Sequence, residues 1–432
     1  FILGNPPYIS EVRRQSERFK GVKDQISAYY QPKMDLCDAF LAWAIQHLST
    51  NGQLVYVLPE YWTQRASSAN LRASLWECGH IREFWALQDS RLFKNAPGHH
   101  SSFLIWQKTD SVQHVVSGED PPPTTLGMLG PGEKKLEVSQ LQELTFTLDQ
   151  QSGKLLYGHS LEMALLQRLS ALPPLLAKHE IQQGIVIPQG RLKKSERHRL
   201  PLSLQASLPE DAGIFLLDAS EVRRLQLNDE ERRLLKPYYQ PAGFQPFSGF
   251  GRRPPDFEII YGDLQNRKAI EQQPAIFPNL RFHLERFQSV MTSDFAPYGL
   301  HRARQAIWFE DERKILCPRQ VDAPAFAVIS VPAYVNEGFY SIRPATLDSD
   351  FVCAILNSRL AWFWFYKQKR KGHRLQIDKE VLAVFPKPFS VTVDQHQQLT
   401  ELARSLSNPG TPIPQQKEQW EQLNRQVYQL YG

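Results

Sequence analysis

The chain has 432 residues, 42% apolar and 22% charged, with a formal net charge of +5; this is the balance of an ordinary globular protein with room for two domains. No stretch approaches the ~18 uninterrupted apolar residues of a membrane span and no secretory signal pattern is visible, so no membrane partner is expected; the scattered cysteines suggest a reducing cytoplasm. The four cysteines (Cys37, Cys78, Cys317, Cys353) form no C-x-x-C pair, which argues against a disulfide framework or a metal site and for buried thiols. The charge is uneven: residues 181–390 hold 30 Lys and Arg against 23 Asp and Glu. A polyanion would meet the second half first.

Taken in chain order, Phe1-Ile2-Leu3-Gly4 is an apolar strand stub that runs into Asn5-Pro6-Pro7-Tyr8. That turn has a specific chemical use. A conjugated exocyclic amino group is a poor nucleophile because its lone pair is delocalised. If two acceptors take its two protons, the nitrogen gains sp3 character and can attack a methyl donor. The Asn5 side-chain oxygen and the Pro6 carbonyl are such acceptors. The paired prolines fix φ and end the strand, and Tyr8 offers a ring on which a base can stack. The plain alternative is a proline-stiffened strand exit.

Leu36, Phe40, Trp43, Ala44 and Leu48 recur at helical spacing, predicting a helix over 35–49. Asn51-Gly52 stops it, and Leu54–Leu58 reads as a short strand ended by Pro59. A second helix is expected at 71–78, then strands at 81–87 and 103–106. Strands alternating with helices predict a mainly parallel α/β sheet, with ligands at the carboxyl ends of its strands. Residues 117–133 are rich in Pro and Gly and read as a surface loop. A helix near 160–171 leads into a mixed α+β region. There β-type runs are expected at 185–187, 326–331 and 339–342, one helix at 349–367, and a polar helix at 415–430 that closes the chain.

In their order these segments resemble the γ-type N6-adenine DNA methyltransferases, specifically the TaqI-like and Eco57I-like restriction–modification methylases. The resemblance rests on F-I-L-G-N-P-P-Y at 1–8, D-L-C-D-A-F-L at 35–41, N-G-Q-L-V-Y-V-L-P-E-Y-W at 51–62 and R-L-F-K-N-A-P-G-H-H-S-S-F-L-I at 91–105. Looser matches follow at A-I-L-N-S-R-L-A (354–361) and V-F-P-K-P (384–388). It implies a fold of part of a Rossmann-like methyltransferase sheet, strands 4–7, followed by an α+β TaqI-like target-recognition domain. The implied domains are 1–150 (catalytic half), 151–180 (linker helix), 181–390 (DNA specificity) and 391–432 (helical extension).

The resemblance also implies a flipped-out adenine held between Tyr8 and Phe93. Its methyl would come from S-adenosylmethionine, with no metal. Asn5, Pro6 and Tyr8 would be catalytic, and Asn5 and Phe40 would touch the cofactor. Phe93 also reads as a core phenylalanine at the base of a loop, and Phe40 as a core residue of its helix. The family's glycine loop for the cofactor precedes this turn, so it is expected upstream of Phe1, in a missing segment or a partner chain.

Two basic segments, Arg191, Lys193, Lys194, Arg197 and Arg199, then Lys367, Lys369, Arg370, Lys371 and Arg374, suit phosphate contacts with double-stranded DNA. They also read as solvated loops. A nuclease, fused or associated, is a conceivable partner, but Asp256 and Glu258 lack the following lysine of such a centre. His99, His100 and His198 lack ligand spacing. Two other functions remain open: a catalytically silent DNA-binding specificity module, and a protein glutamine-N5 methyltransferase, which the long basic region disfavours.

Overall fold

The computed structural model describes residues 1–9, 11, 19–87, 101–109, 124–128, 141–149, 153–310, 313–368, 370–371, 374–408 and 410–432. They divide into two compact units, Phe1–Ala171 with Trp364–Gln376, and Leu172–Phe363 with Ile377–Gly432.

The first unit contains β1 (Ile2–Gly4), α1 (Leu36–His47), β2 (Gln53–Pro59), α2 (Ala69–Cys78), β3 (Gly79–Ala86), β4 (Ser101–Lys108), β5 (Thr124–Met128), β6 (Leu141–Leu148), β7 (Leu155–Gly158) and α3 (Ser160–Ser170). The strands form one sheet in the order β1-β2-β4-β3-β5-β6-β7. β1 runs parallel to β2, and β4 runs antiparallel to both β2 and β3. The sheet is therefore mixed rather than mainly parallel. Helix–strand alternation enforces parallel crossovers only as far as α2 and β3, and two successive apolar runs carry no signal of direction. The loop expected across 117–133 contains β5, which pairs parallel with β3; its flanking Pro and Gly residues hide so short a strand.

Alternate β2 residues Leu54, Tyr56 and Leu58 pack with Leu41, Ala42 and Ile45 of α1, Leu71 and Leu75 of α2, and Leu104 and Trp106 of β4. Each fully buried large side chain contributes about 1.5–3 kcal/mol. The buried face of α1 matches the expected one only in part: Ala44 and Leu48 are buried, but the two aromatics are not. Phe40 and Trp43 are 43% and 44% exposed, while Cys37, Asp38, Leu41 and Ile45 are buried. Apolar residues surround α1, so periodicity alone could not select its inner face.

The second unit holds two four-stranded sheets. One is ordered β15 (Tyr334–Val335), β10 (Leu235–Tyr239), β11 (Phe257–Ile260), β9 (Leu216–Leu217). The other is ordered β14 (Ala327–Ile329), β12 (Lys314–Pro318), β16 (Phe339–Ile342), β8 (Ile181–Gln183), so β8 lies at an edge. β13 (Gln320–Val321) follows β12, and β17 (Arg370–Lys371) pairs with β18 (Arg374–Gln376) in the first unit. Ile185 and Val186, expected in a strand, form only isolated bridges.

The single helix expected at 349–367 is two helices, Ser349–Leu356 and Arg359–Gln368. Asn357 turns its amide onto Phe326, accepting from its N–H at 2.9 Å and donating to its carbonyl at 2.8 Å. The Ser358 hydroxyl then accepts from Ala361 N at 3.2 Å, an N-cap for the second helix. Helix Val393–Ser407, not singled out in the sequence, falls within the span 391–432 expected as a helical extension; Ile413–Tyr431 is the closing helix.

Candidate functional site

Because β1 and β2 are parallel, their carboxyl ends leave the sheet at the same edge. β4 enters there, with Ser101 opposite Pro59. One sheet end thus gathers Asn5–Tyr8, the short turn Glu60–Thr63 and Ser101. Asn5 is exposed, Pro6 buried and Tyr8 half-buried, with the Tyr8 ring packed against the core. The Tyr8 hydroxyl donates to Asn5 Oδ1 at 3.1 Å, and burial pushes the phenol above its ordinary pKa. After Tyr8 the chain is clamped to the entry of α1. Leu36 N donates to the Ile9 carbonyl at 2.8 Å, and Glu11 N to the Met34 carbonyl at 3.0 Å. On the other side Gly4 lies over Tyr56, where an added Cβ would come within 3.0 Å of the ring. The Asn-Pro-Pro-Tyr turn is therefore fixed at both ends.

A buried polar network beside it escaped the sequence reading. Asp35, the N-cap of α1, is 1% exposed. Its Oδ2 accepts from the Tyr61 hydroxyl at 2.6 Å and from the Arg65 guanidinium, which also lies over the Tyr61 ring. Asp38 Oδ2 accepts from the Ser68 hydroxyl at 2.8 Å and lies 3.9 Å from Arg65. Burial pushes the Asp38 carboxyl up to about 6, against the opposing pull of Ser68 and Arg65. Asp35 Oδ1 is buried and has no hydrogen-bond partner among the described residues. The signal available in the sequence was D-L-C-D, an N-cap followed three residues later by a second acid.

Of the expected site residues, Asn5, Pro6 and Tyr8 stand together. Phe40 presents an open ring on α1, and Phe93 lies outside the described residues. The basic segments divide sharply. Arg191 is taken up by Asp211 Oδ2 at 2.9 Å, Glu221 Oε2 at 2.9 Å and Asp218 at 3.8 Å. Arg197 donates to the carbonyls of Gln205, Leu208 and Pro209. Lys193, Lys194 and Arg199 are exposed. Lys367 pairs with Glu162 at 2.7 Å. Lys369 lies outside the described residues; the backbones of Arg370 and Lys371 form β17, and Arg374 of β18 is exposed. Among the described residues, no group of three His, Cys, Asp or Glu could hold a metal ion, and no helix is long and apolar enough to cross a membrane.

Residues 1–93 match the family model of the Eco57I restriction-modification methylase. This segment contains the Asn-Pro-Pro-Tyr turn, the Asp35 network and Phe40. Across the whole chain, the Type II methyltransferase M.BstVI of Geobacillus stearothermophilus is 19% identical over 450 residues, covering 100% of this chain and 73% of the relative. Among solved structures, the type IIL restriction-modification enzyme MmeI in complex with DNA is similar, with a TM-score of 0.66 at 12% identity. That match covers 100% of this chain and 54% of the MmeI chain, so the chain spans about half the length of that enzyme. The likeness is one of fold, across both units.

Proposed function

We propose that this chain carries the target-base and DNA-recognition residues of a site-specific DNA adenine-N6 methyltransferase of a restriction–modification system. The observation that carries the reading is the Asn5–Tyr8 turn, clamped at the carboxyl end of a parallel strand with the Asn5 amide exposed. In this reading β1 to β4 are the fourth to seventh strands of a methyltransferase sheet. The order β1-β2-β4-β3, with β4 antiparallel, supports that assignment.

S-adenosylmethionine, when bound, would supply the methyl group as an electrophilic sulfonium. The residues present fit the edge of such a site: Asn5 is exposed beside the turn, and Phe40 is an open ring on the helix that begins next to it. Asn5 Oδ1 and the Pro6 carbonyl would accept the two protons of the adenine amino group and direct its lone pair. Tyr8, held by the core on one side, would stack on the base and recover part of the few kcal/mol that flipping costs. The second unit would hold the duplex. The decisive measurement is transfer of tritiated methyl to adenine-containing duplexes by the enzyme that carries this chain. Asn5→Ala should lower transfer by roughly 10²–10⁴-fold while DNA affinity is kept. Undiminished transfer would remove Asn5 from the chemistry. Salt-dependent DNA binding by the unaltered enzyme without any transfer would instead point to a silent specificity module.

A further inference from the structure

The basic segments that stand out in the sequence are partly neutralised in the fold, while four other cations gather around the edge strand β8. Val186 pairs with Arg302, its N–H donating to the Arg302 carbonyl at 3.1 Å, which brings residues 302–304 alongside the end of β8. Arg304 Nε donates to the Gly184 carbonyl at 3.3 Å, and its Nη2 donates to Gln183 Oε1 at 3.4 Å. Lys379 Nζ donates to the Ile181 carbonyl at 2.6 Å. Lys178 stands exposed in the turn just before the strand.

The character of these anchors decides what the cluster can do. A carbonyl or amide oxygen holds a cation in place without cancelling its charge, and each head keeps further donors free: an ammonium has three and a guanidinium five. Among the described residues, none of the four cations forms an ion pair. The nearby carboxylate Glu180 already accepts from the backbone N–H groups of Ala177 at 2.6 Å and Ala345 at 2.5 Å; Glu380 faces Lys379 without pairing. The charges are close enough to repel. Burial and then Arg302 lower the Arg304 guanidinium, and Lys379 is lowered by burial and by Lys178 and Arg304, with Glu380 opposing. Arg304 is also held in the left-handed region, at φ +64, with its carbonyl accepting from the Tyr261 hydroxyl at 2.7 Å. A strained, positioned, uncompensated cation is a costly feature for the fold alone.

We propose that Lys178, Arg302, Arg304 and Lys379 form a phosphate-contacting surface for duplex DNA around β8. The proposal rests on the DNA-recognition reading above and adds residues to it. The cations come from three chain segments that meet around β8. That spread suits successive phosphates of a backbone better than one small anion. Contacts of this kind give affinity without reading bases.

The test is the salt dependence of duplex binding by the enzyme carrying Lys178→Gln with Arg302→Gln. Neither side chain hydrogen-bonds within the described residues, so folding should be kept, and melting checks it. The slope of log affinity against log salt should flatten by roughly 2, at about 0.9 per lost phosphate contact. Affinity should fall about tenfold or more, equally for specific and random duplexes. Arg302→Gln alone should give about half of that slope change. An unaltered enzyme that binds duplex, with variants that match its affinity and slope, overturns this surface and leaves the DNA reading standing. An unaltered enzyme that binds no duplex overturns both.

Discussion

Around Arg191 three carboxylates close on a guanidinium that is 17% exposed; around Arg304 the acceptors are a carbonyl and a side-chain amide. Both arginines belong to the second unit, and both stand beside a glycine next to a short β segment. Their charges have opposite fates. At Arg191 the cation is spent on tying residues 211–221 to the strand region, helped by the Phe257 ring beneath it. At Arg304 it is positioned and left available. Counting lysines and arginines along a sequence therefore ranks the wrong quantity: what matters is whether the partner is an acid or a neutral oxygen.

The largest effect that could break this comparison is expected at Arg191. Arg191→Ala should strand the nearly buried Glu221, with Asp211 and Asp218 beside it, and cost about 3–5 kcal/mol. A denaturant midpoint measures the loss. DNA affinity per folded molecule should not change, and a stable variant that binds DNA weakly would reverse the assignment of the two arginines. Gly184→Ala comes next. Its Cβ would approach the Asn336 carbonyl oxygen to 2.0 Å, so the backbone that seats Arg304 must shift, at about 1–3 kcal/mol. Here stability and salt slope should fall together. A loss of stability with an unchanged slope would detach Arg304 from the surface.

Asp38 extends the contrast to an acid whose cation is already engaged by Asp35. Its folded pKa is raised to about 6, mainly by burial, so the folded state holds that proton more tightly than the unfolded chain does. The stabilisation from the neutral carboxyl is full below the unfolded value near 4 and is lost as pH rises through about 6. Melting followed across this window should show the decline, and Asp38→Asn should flatten it. The smallest effect on stability belongs to Arg302→Gln, an exposed side chain whose removal should stay within about 0.5 kcal/mol while the salt slope still changes.

Much of the first unit was legible because local chemistry dictates it. Two prolines after a glycine end a strand wherever they occur, and β2 is bounded by Asn51-Gly52 before it and Pro59 at its end. The Asn357–Ser358 break was legible in principle, since an Asn stop followed by a Ser N-cap is a local signal. The inner face of α1 was not, because apolar residues surround the helix and only the sheet beneath it selects Cys37, Leu41 and Ile45 over Phe40 and Trp43. The direction of β4 was likewise a tertiary outcome. The commitment of each cation was least legible of all. Arg191 meets Glu221 across thirty residues and Lys379 meets Ile181 across nearly two hundred, distances over which neighbouring sequence says nothing.

The position of β8 at the end of its sheet also bears on solubility. A terminal strand offers unpaired backbone groups on which another chain can add a strand, and lysines at such an edge oppose it. Lys379 already occupies the Ile181 carbonyl, and like charges around the strand would repel a second copy. The cations that would grip a polyanion would thus also disfavour the addition of a strand here. Variants stripped of them should be watched for self-association as well as for weakened binding.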